Sequence, residues 1–145
     1  MKKIAVIGTG LSALSLAYHL PALDITFFEK SWRPGGRIST RKHNQYAFDH
    51  GAHYLKLDHG IIGLNEYLNK IDAIKKLKGQ FCSNISQNSP IEDKEIIVGK
   101  EGNESIPIKI HKSLHYPTYF SKQITSIETI NCLLYTSDAA DEERG

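Results

Sequence analysis

The sequence is poor in cysteine, with only Cys82 and Cys132 among 145 residues. That excludes a disulfide framework and fits a reducing compartment, so a cytoplasmic protein is expected. It is also poor in net charge. Eighteen basic residues face 16 acidic ones, and a balance of +2 is too small to point to nucleic acid or a membrane surface. Long hydrophobic runs are missing: no stretch reaches the roughly 20 apolar residues that span a bilayer. The N-terminal "MKKIAVIGTGLSALSLAYHLPA" has the basic start of a secretory signal. Its apolar part is broken by Gly8, Thr9, Gly10, Ser12 and Ser15, and His19 stands where a cleavage region would begin, which argues against export. No internal repeat and no low-complexity segment is present. A metal set is absent as well: His50, His53, Asp58 and His59 lie close in sequence but follow no standard ligand spacing. His111 and His115 have no acid or cysteine nearby to complete a set, and Cys82 has no basic neighbour to activate it.

What the chain does have is enough apolar content, 40%, for the core of one domain. Lys3 to Ile7 reads as a short buried strand. Leu11 to Leu20 reads as a helix with Leu11, Leu14 and Tyr18 on one face, stopped by Pro21. Asp24 to Glu29 is β-branched and aromatic, a second strand. Strand, helix and strand in about 30 residues make a βαβ unit with a parallel sheet. The stretch "KSWRPGGRISTRKHNQ" reads as a polar loop and "YAFDHGAHYLKL" as a strand broken at Gly51. Ile61 to Leu77 has helical spacing, and residues 78–94 read as loop with some weak strand. "EIIVG" and "SIPIKI" suggest a hairpin or a strand–loop–helix start, and "YPTYFSKQITSIETI" a late strand.

The chemistry sits between the first two strands. Gly8, Gly10 and Ala13 form G-x-G-x-x-A after a strand and at the start of a helix. In that setting the first glycine permits the turn, the second lets a pyrophosphate approach the backbone, and the small third residue lets helix and strand pack closely. The helix start then offers N–H groups and a positive dipole end to phosphates. Glu29, at the end of the second strand, stands where an acid accepts hydrogen bonds from ribose hydroxyls. A carboxylate there repels a 2′-phosphate, which disfavours NADP and leaves FAD and NAD. The following "RPGGR" is not required by an NAD-binding βαβ unit. Its glycine pair admits a bulky ligand to the backbone, and Arg37 can meet phosphate with a forked donor. The alternative is a basic loop in which Arg33 and Arg37 are merely solvated.

Three segments, "IAVIGTGLSALSLAYHL", "ITFFEKSWRPGGRIST" and "FDHGAHYL", together resemble the N-terminal region of FAD-dependent oxidoreductases of the amine oxidase superfamily. The nearest resemblance is to the bacterial renalase-like group. It is dense from Lys3 to Tyr54, thin to about Ile97, and faint at "VGKEGNESIPI" and "FSKQITSIE". The resemblance implies FAD as cofactor, a small-molecule substrate, and an α/β, Rossmann-like FAD-binding domain interrupted by the start of a substrate domain. It implies that Gly8, Gly10 and Ala13, with Leu11 and Ser12 between the last two, face the pyrophosphate. Glu29 would bind the adenosine ribose with Lys30 beside it. Gly35, Gly36 and Arg37 would run along ribose and pyrophosphate, with Ser39 and Thr40 leading towards the flavin. Gly51, Ala52 and His53 would lie near the flavin end, and Ile124 in a later strand whose backbone touches adenine.

The same resemblance divides the chain into residues 1–54 of the FAD-binding domain, 55–110 opening the substrate domain, and 111–131 returning to the first. The remaining "CLLYTSDAADEERG", residues 132–145, shifts abruptly to Ala, Asp and Glu. It looks like a sequencing adapter translated in frame, which would make this a truncated N-terminal fragment that by itself holds FAD poorly. Without it the chain has 17 basic and 12 acidic residues, and Cys82 is its only cysteine. Hydride transfer from an amine-like or dihydronicotinamide-like substrate to flavin, with O₂ as the final acceptor, is the implied reaction. An NAD-binding dehydrogenase domain without flavin, and an inactive fragment, are the alternatives.

Overall fold

A computed structural model describes residues 3–56, 63–82 and 91–128 of the chain. The 132–145 tail therefore lies outside the described residues, as do Asp58 and His59.

The βαβ unit forms as its pattern requires. Strand β1 (Lys3–Ile7) leads to helix α1 (Leu11–His19) and strand β2 (Asp24–Phe28). The helix closes on Leu20, whose N–H donates to Leu16 O, one residue before Pro21, which has no N–H to extend the ladder. β1 and β2 pair in parallel, with Ile4 opposite Ile25 and Val6 opposite Phe27. A short strand, β7 (Thr118–Tyr119), joins the far edge of β2 in parallel, so the sheet order is β1-β2-β7. Between β2 and β7 the chain makes two antiparallel ribbons. They are β3 (Ile38–His43) with β4 (Tyr46–Gly51), and β5 (Ile74–Cys82) with β6 (Ile91–Gly99). Helices α2 (Leu64–Lys70) and α3 (Ser105–Leu114) flank the second ribbon in sequence.

One apolar cluster unites these parts. Leu14 and Ala17 of α1, Ile25 and Phe27 of β2, Leu64 and Leu68 of α2, and Ile106 and Ile110 of α3 are buried together. Period-3.6 spacing on the helices and period-2 spacing on β2 aim these residues at the same core. The opposite face of β1 is more open, and Lys3, Ala5 and Ile7 are exposed.

Four sequence expectations are corrected. Ile38–His43, read as loop, is strand β3; it pairs fully with β4 across a two-residue turn in which Asn44 takes a left-handed φ of +52°. The helix read over Ile61–Leu77 is shorter among the described residues. After Lys70 the chain turns through Asp72, at φ +56°, and the N–H of Ala73 returns to Leu68 O. Ile74, which fitted the helical spacing, is instead buried as the first residue of β5. The described parts of 78–94, a stretch read as loop with some weak strand, are β-ribbon throughout. Its strands carry charged residues on both faces, so backbone pairing and cross-strand contacts such as Lys76–Glu95 at 2.7 Å hold a ladder that hydrophobic alternation does not announce. Finally, among the described residues the late strand is only Thr118–Tyr119. Ser121, at φ +56°, turns the chain away, so Ile124 belongs to no strand and is 38% exposed. The "EIIVG"–"SIPIKI" pair takes the strand–loop–helix form.

Phe27 is completely buried, and its ring lies edge-on to Tyr116 at 6.2 Å. Phe27→Ala is expected to lower unfolding free energy by about 3–5 kcal/mol in urea titrations. Trp32→Ala, at a side chain 73% exposed, should cost about 1 kcal/mol or less.

Candidate dinucleotide-binding site

The loop between β1 and α1 is built from three residues with different duties. Gly8 has φ +90°, a conformation other residues rarely adopt, and its N–H donates to Phe28 O at 2.8 Å. Thr9 is completely buried, and both its N–H and its hydroxyl donate to Glu29 Oε2, at 2.7 and 2.6 Å. Gly10 caps α1 in ordinary extended geometry, with φ −69°, and its backbone does not itself demand glycine. A Cβ built at Gly10 meets nothing within 4 Å. No side chain caps the helix and no acid occupies its first turn, so the early N–H groups have no anionic partner within the helix. Leu11 and Ala13 are half-buried against the core, and Ser12 is exposed.

Glu29 lies just beyond β2 and is only 4% exposed. Ser31 N–H donates to its other oxygen, Oε1, at 2.8 Å. Burial pushes this carboxyl up, but the hydrogen bonds from Thr9 and Ser31 outweigh burial and hold it below the ordinary glutamate value. Oε2 accepts two donors from Thr9, and Oε1 accepts the Ser31 N–H. Lys30 is exposed beside it.

The "RPGGR" loop returns to the glycine turn. Gly35 N–H donates to Thr9 O at 3.2 Å, and the position of a Cβ on Gly36 is 3.4 Å from Gly10 Cα. Arg37 is exposed, and its side chain has no hydrogen bond or ion pair among the described residues. Arg33, by contrast, is not merely solvated: it reaches Glu104 at 2.8 Å and lies over the Trp32 ring. Gly51 ends β4 beside Arg37 O, to which Ala52 N–H donates at 3.3 Å; His53 is exposed. Ser39 bonds to His50 O. Thr40 is buried and engages Asp49 and Glu104 through its hydroxyl, so its side chain turns to the protein interior. Gly8, Gly10, Glu29 and Gly35–Arg37 thus come together, while Ile124 stands apart from any strand edge.

Sequence reasoning did not find Thr9, Ser31, Asp49, Asn103 or Glu104. Thr9 occupies an unspecified position of the glycine motif, and only the 20-residue separation from Glu29 hinted at a partner. Ser31 meets Glu29 from only two residues away, whereas Asp49, Asn103 and Glu104 act through contacts made 51 to 64 residues away.

Residues 6–68 match the family described as NAD(P)-binding Rossmann-like domain. The fold is Rossmann-like. Among curated relatives, a protein described as a possible lysine-specific histone demethylase 1 from Drosophila melanogaster is 28% identical over 142 residues, 96% of this chain and 15% of that protein. Coproporphyrinogen III oxidase from Staphylococcus aureus is 43% identical over 54 residues, 34% of this chain and 12% of that enzyme. The chain therefore spans less than a sixth of the length of these two relatives. A solved structure of putrescine oxidase with putrescine bound overlaps 64% of this chain and 22% of its own, at 21% identity and a TM-score of 0.44. The family and sequence matches support the resemblance to FAD-dependent oxidoreductases of the amine oxidase superfamily. No helix among the described residues is long and apolar enough to cross a membrane.

Glu29 has a lowered pKa, so its contribution to stability should be full above the ordinary value of 4.5 and lost as pH falls through the lowered folded value. Urea midpoints measured across that acid range should fall in the wild type and fall less in Glu29→Gln. Equal slopes in the two proteins would contradict the assignment.

Proposed function

We propose that this chain is the cofactor-binding part of an FAD-dependent oxidoreductase. The observation that carries the reading is Gly10. Its backbone tolerates any residue and its side-chain position is open, so the fold alone does not explain a glycine there. A pyrophosphate lying on the uncapped start of α1 does. The residues present fit the rest of a dinucleotide. Glu29 Oε1 accepts a ribose hydroxyl, and its charge rejects a 2′-phosphate. Arg37 has no side-chain partner among the described residues and meets phosphate.

FAD is preferred to NAD because the "RPGGR" loop packs directly on the glycine turn, a second wall that an NAD-binding βαβ unit does not need. The relatives' names, oxidase and demethylase, support an oxidising enzyme. When bound, FAD supplies a hydride acceptor that O₂ restores. The chain's own residues bind and orient the cofactor, and none of them is assigned as acid or base. The substrate is a small molecule, amine-like or dihydronicotinamide-like, the latter following the renalase-like resemblance. On this reading residues 55–110 open a substrate domain, with the β5–β6 ribbon as its extended part. Residues 111–131 return to the cofactor domain, where β7 joins the parallel sheet.

The purified full-length protein should show flavin absorbance. Gly10→Val should abolish flavin retention while changing unfolding free energy by only about 1 kcal/mol. Unchanged flavin content in the variant would overturn the phosphate-loop assignment. A wild type that holds no flavin but binds NAD would favour the dehydrogenase reading.

A further inference from the structure

We propose that Glu104, remote in sequence from the glycine motifs, is a positioning residue that clamps the "RPGGR" wall of the dinucleotide site from behind. The consequence for cofactor binding rests on the functional reading above; the clamp itself does not.

Glu104 immediately precedes α3 and is buried. Its Oε2 accepts the backbone N–H of Thr40 at 3.1 Å and Arg33 Nη1 at 2.8 Å. Its own N–H donates to Thr40 Oγ1 at 3.1 Å, and that hydroxyl donates to Asp49 Oδ1 at 2.6 Å. Asp49 Oδ1 also accepts the N–H of Asn103 at 2.7 Å, and Asn103 Nδ2 donates to Ala52 O at 2.8 Å. Two consecutive residues before α3 are therefore bonded to β3, to β4, to the segment after β4, and to the head of the glycine-rich loop. The approach is close enough to need Gly102, where a Cβ would lie 2.6 Å from Thr40 Cγ2. Pro107, in the first turn of α3, backs Gly35 itself at 3.7 Å from its would-be Cβ.

This arrangement divides the two arginines of the loop. Arg33 is held between Glu104 and the Trp32 ring, so its charge is spent on anchoring. Arg37 meets no acceptor among the described residues and is left for phosphate. Removing the Glu104 charge leaves the buried Thr40 N–H with a weaker acceptor and Arg33 without its anion. The loop, whose Gly36 packs against Gly10, then loses its anchor, and a small shift there alters the cleft.

The test compares wild type, Glu104→Gln, Arg33→Gln and Arg33→Lys. In the unliganded protein, amide hydrogen exchange at Gly35 and Ile38 should accelerate on the order of tenfold in the two glutamine variants, with Leu14 and Phe27 unchanged. FAD should dissociate on the order of tenfold faster in the same two variants, and Arg33→Lys, which keeps the charge, should restore most of the difference. Should Glu104→Gln not fold, Arg33→Gln, which leaves the Glu104–Thr40 bonds intact, decides the matter. Unchanged Gly35 exchange overturns the clamp. Accelerated exchange with unchanged or tighter FAD binding overturns its role in the site, because a released Arg33 would then be helping phosphate. A full-length wild type without FAD affinity would overturn the functional reading, while the exchange comparison would still judge the clamp.

Discussion

A single buried carboxylate ties together three stretches of chain that are distant in sequence. Glu29 accepts from the Thr9 hydroxyl and N–H on one oxygen and from Ser31 on the other. Its backbone N–H donates to Tyr119 O and its carbonyl accepts from Lys122. The glycine turn, the end of β2 and the return of the chain after β7 therefore meet at one residue. An unpaired buried carboxylate would cost several kcal/mol, so these donors are a condition of the charge being there at all.

The rest of the site is arranged around that point. The parallel pairing of β1 and β2 brings Gly8 against Phe28 and thus the glycine turn against Glu29. The glycine-rich loop bonds back to Thr9, the β3–β4 ribbon carries it onward, and α3 backs it through Glu104 and Pro107. Charge is placed unevenly: acids are buried and satisfied by the protein, and the basic groups near the cleft, Lys30 and Arg37, are exposed. That sign pattern suits an anionic ligand held over a helix start.

The βαβ unit was legible in the sequence because local signals agreed there: β-branched strands, a helix-spaced apolar face, a stop at Pro21 and an acid on schedule. The positions of Gly8, Gly10 and Glu29 followed from the same motif. What was not legible depended on partners far along the chain. Ile38–His43 looked like loop because its residues are polar, and it is a strand only because β4 is there to pair with it. Ile74 fitted a helical spacing and equally fits the buried start of a strand, and the left-handed turn at Asp72 decides between them. Thr40 and Glu104 carry no local signature, since the bonds between them cross 64 positions.

The central claim is that this cleft selects a dinucleotide without a 2′-phosphate and prefers FAD. Calorimetric titration of flavin-free protein with FAD, NAD and NADP tests it most directly. The account predicts that FAD binds more tightly than NAD and that NADP does not bind measurably. NAD binding as tightly as FAD, or NADP binding with comparable strength, would contradict it.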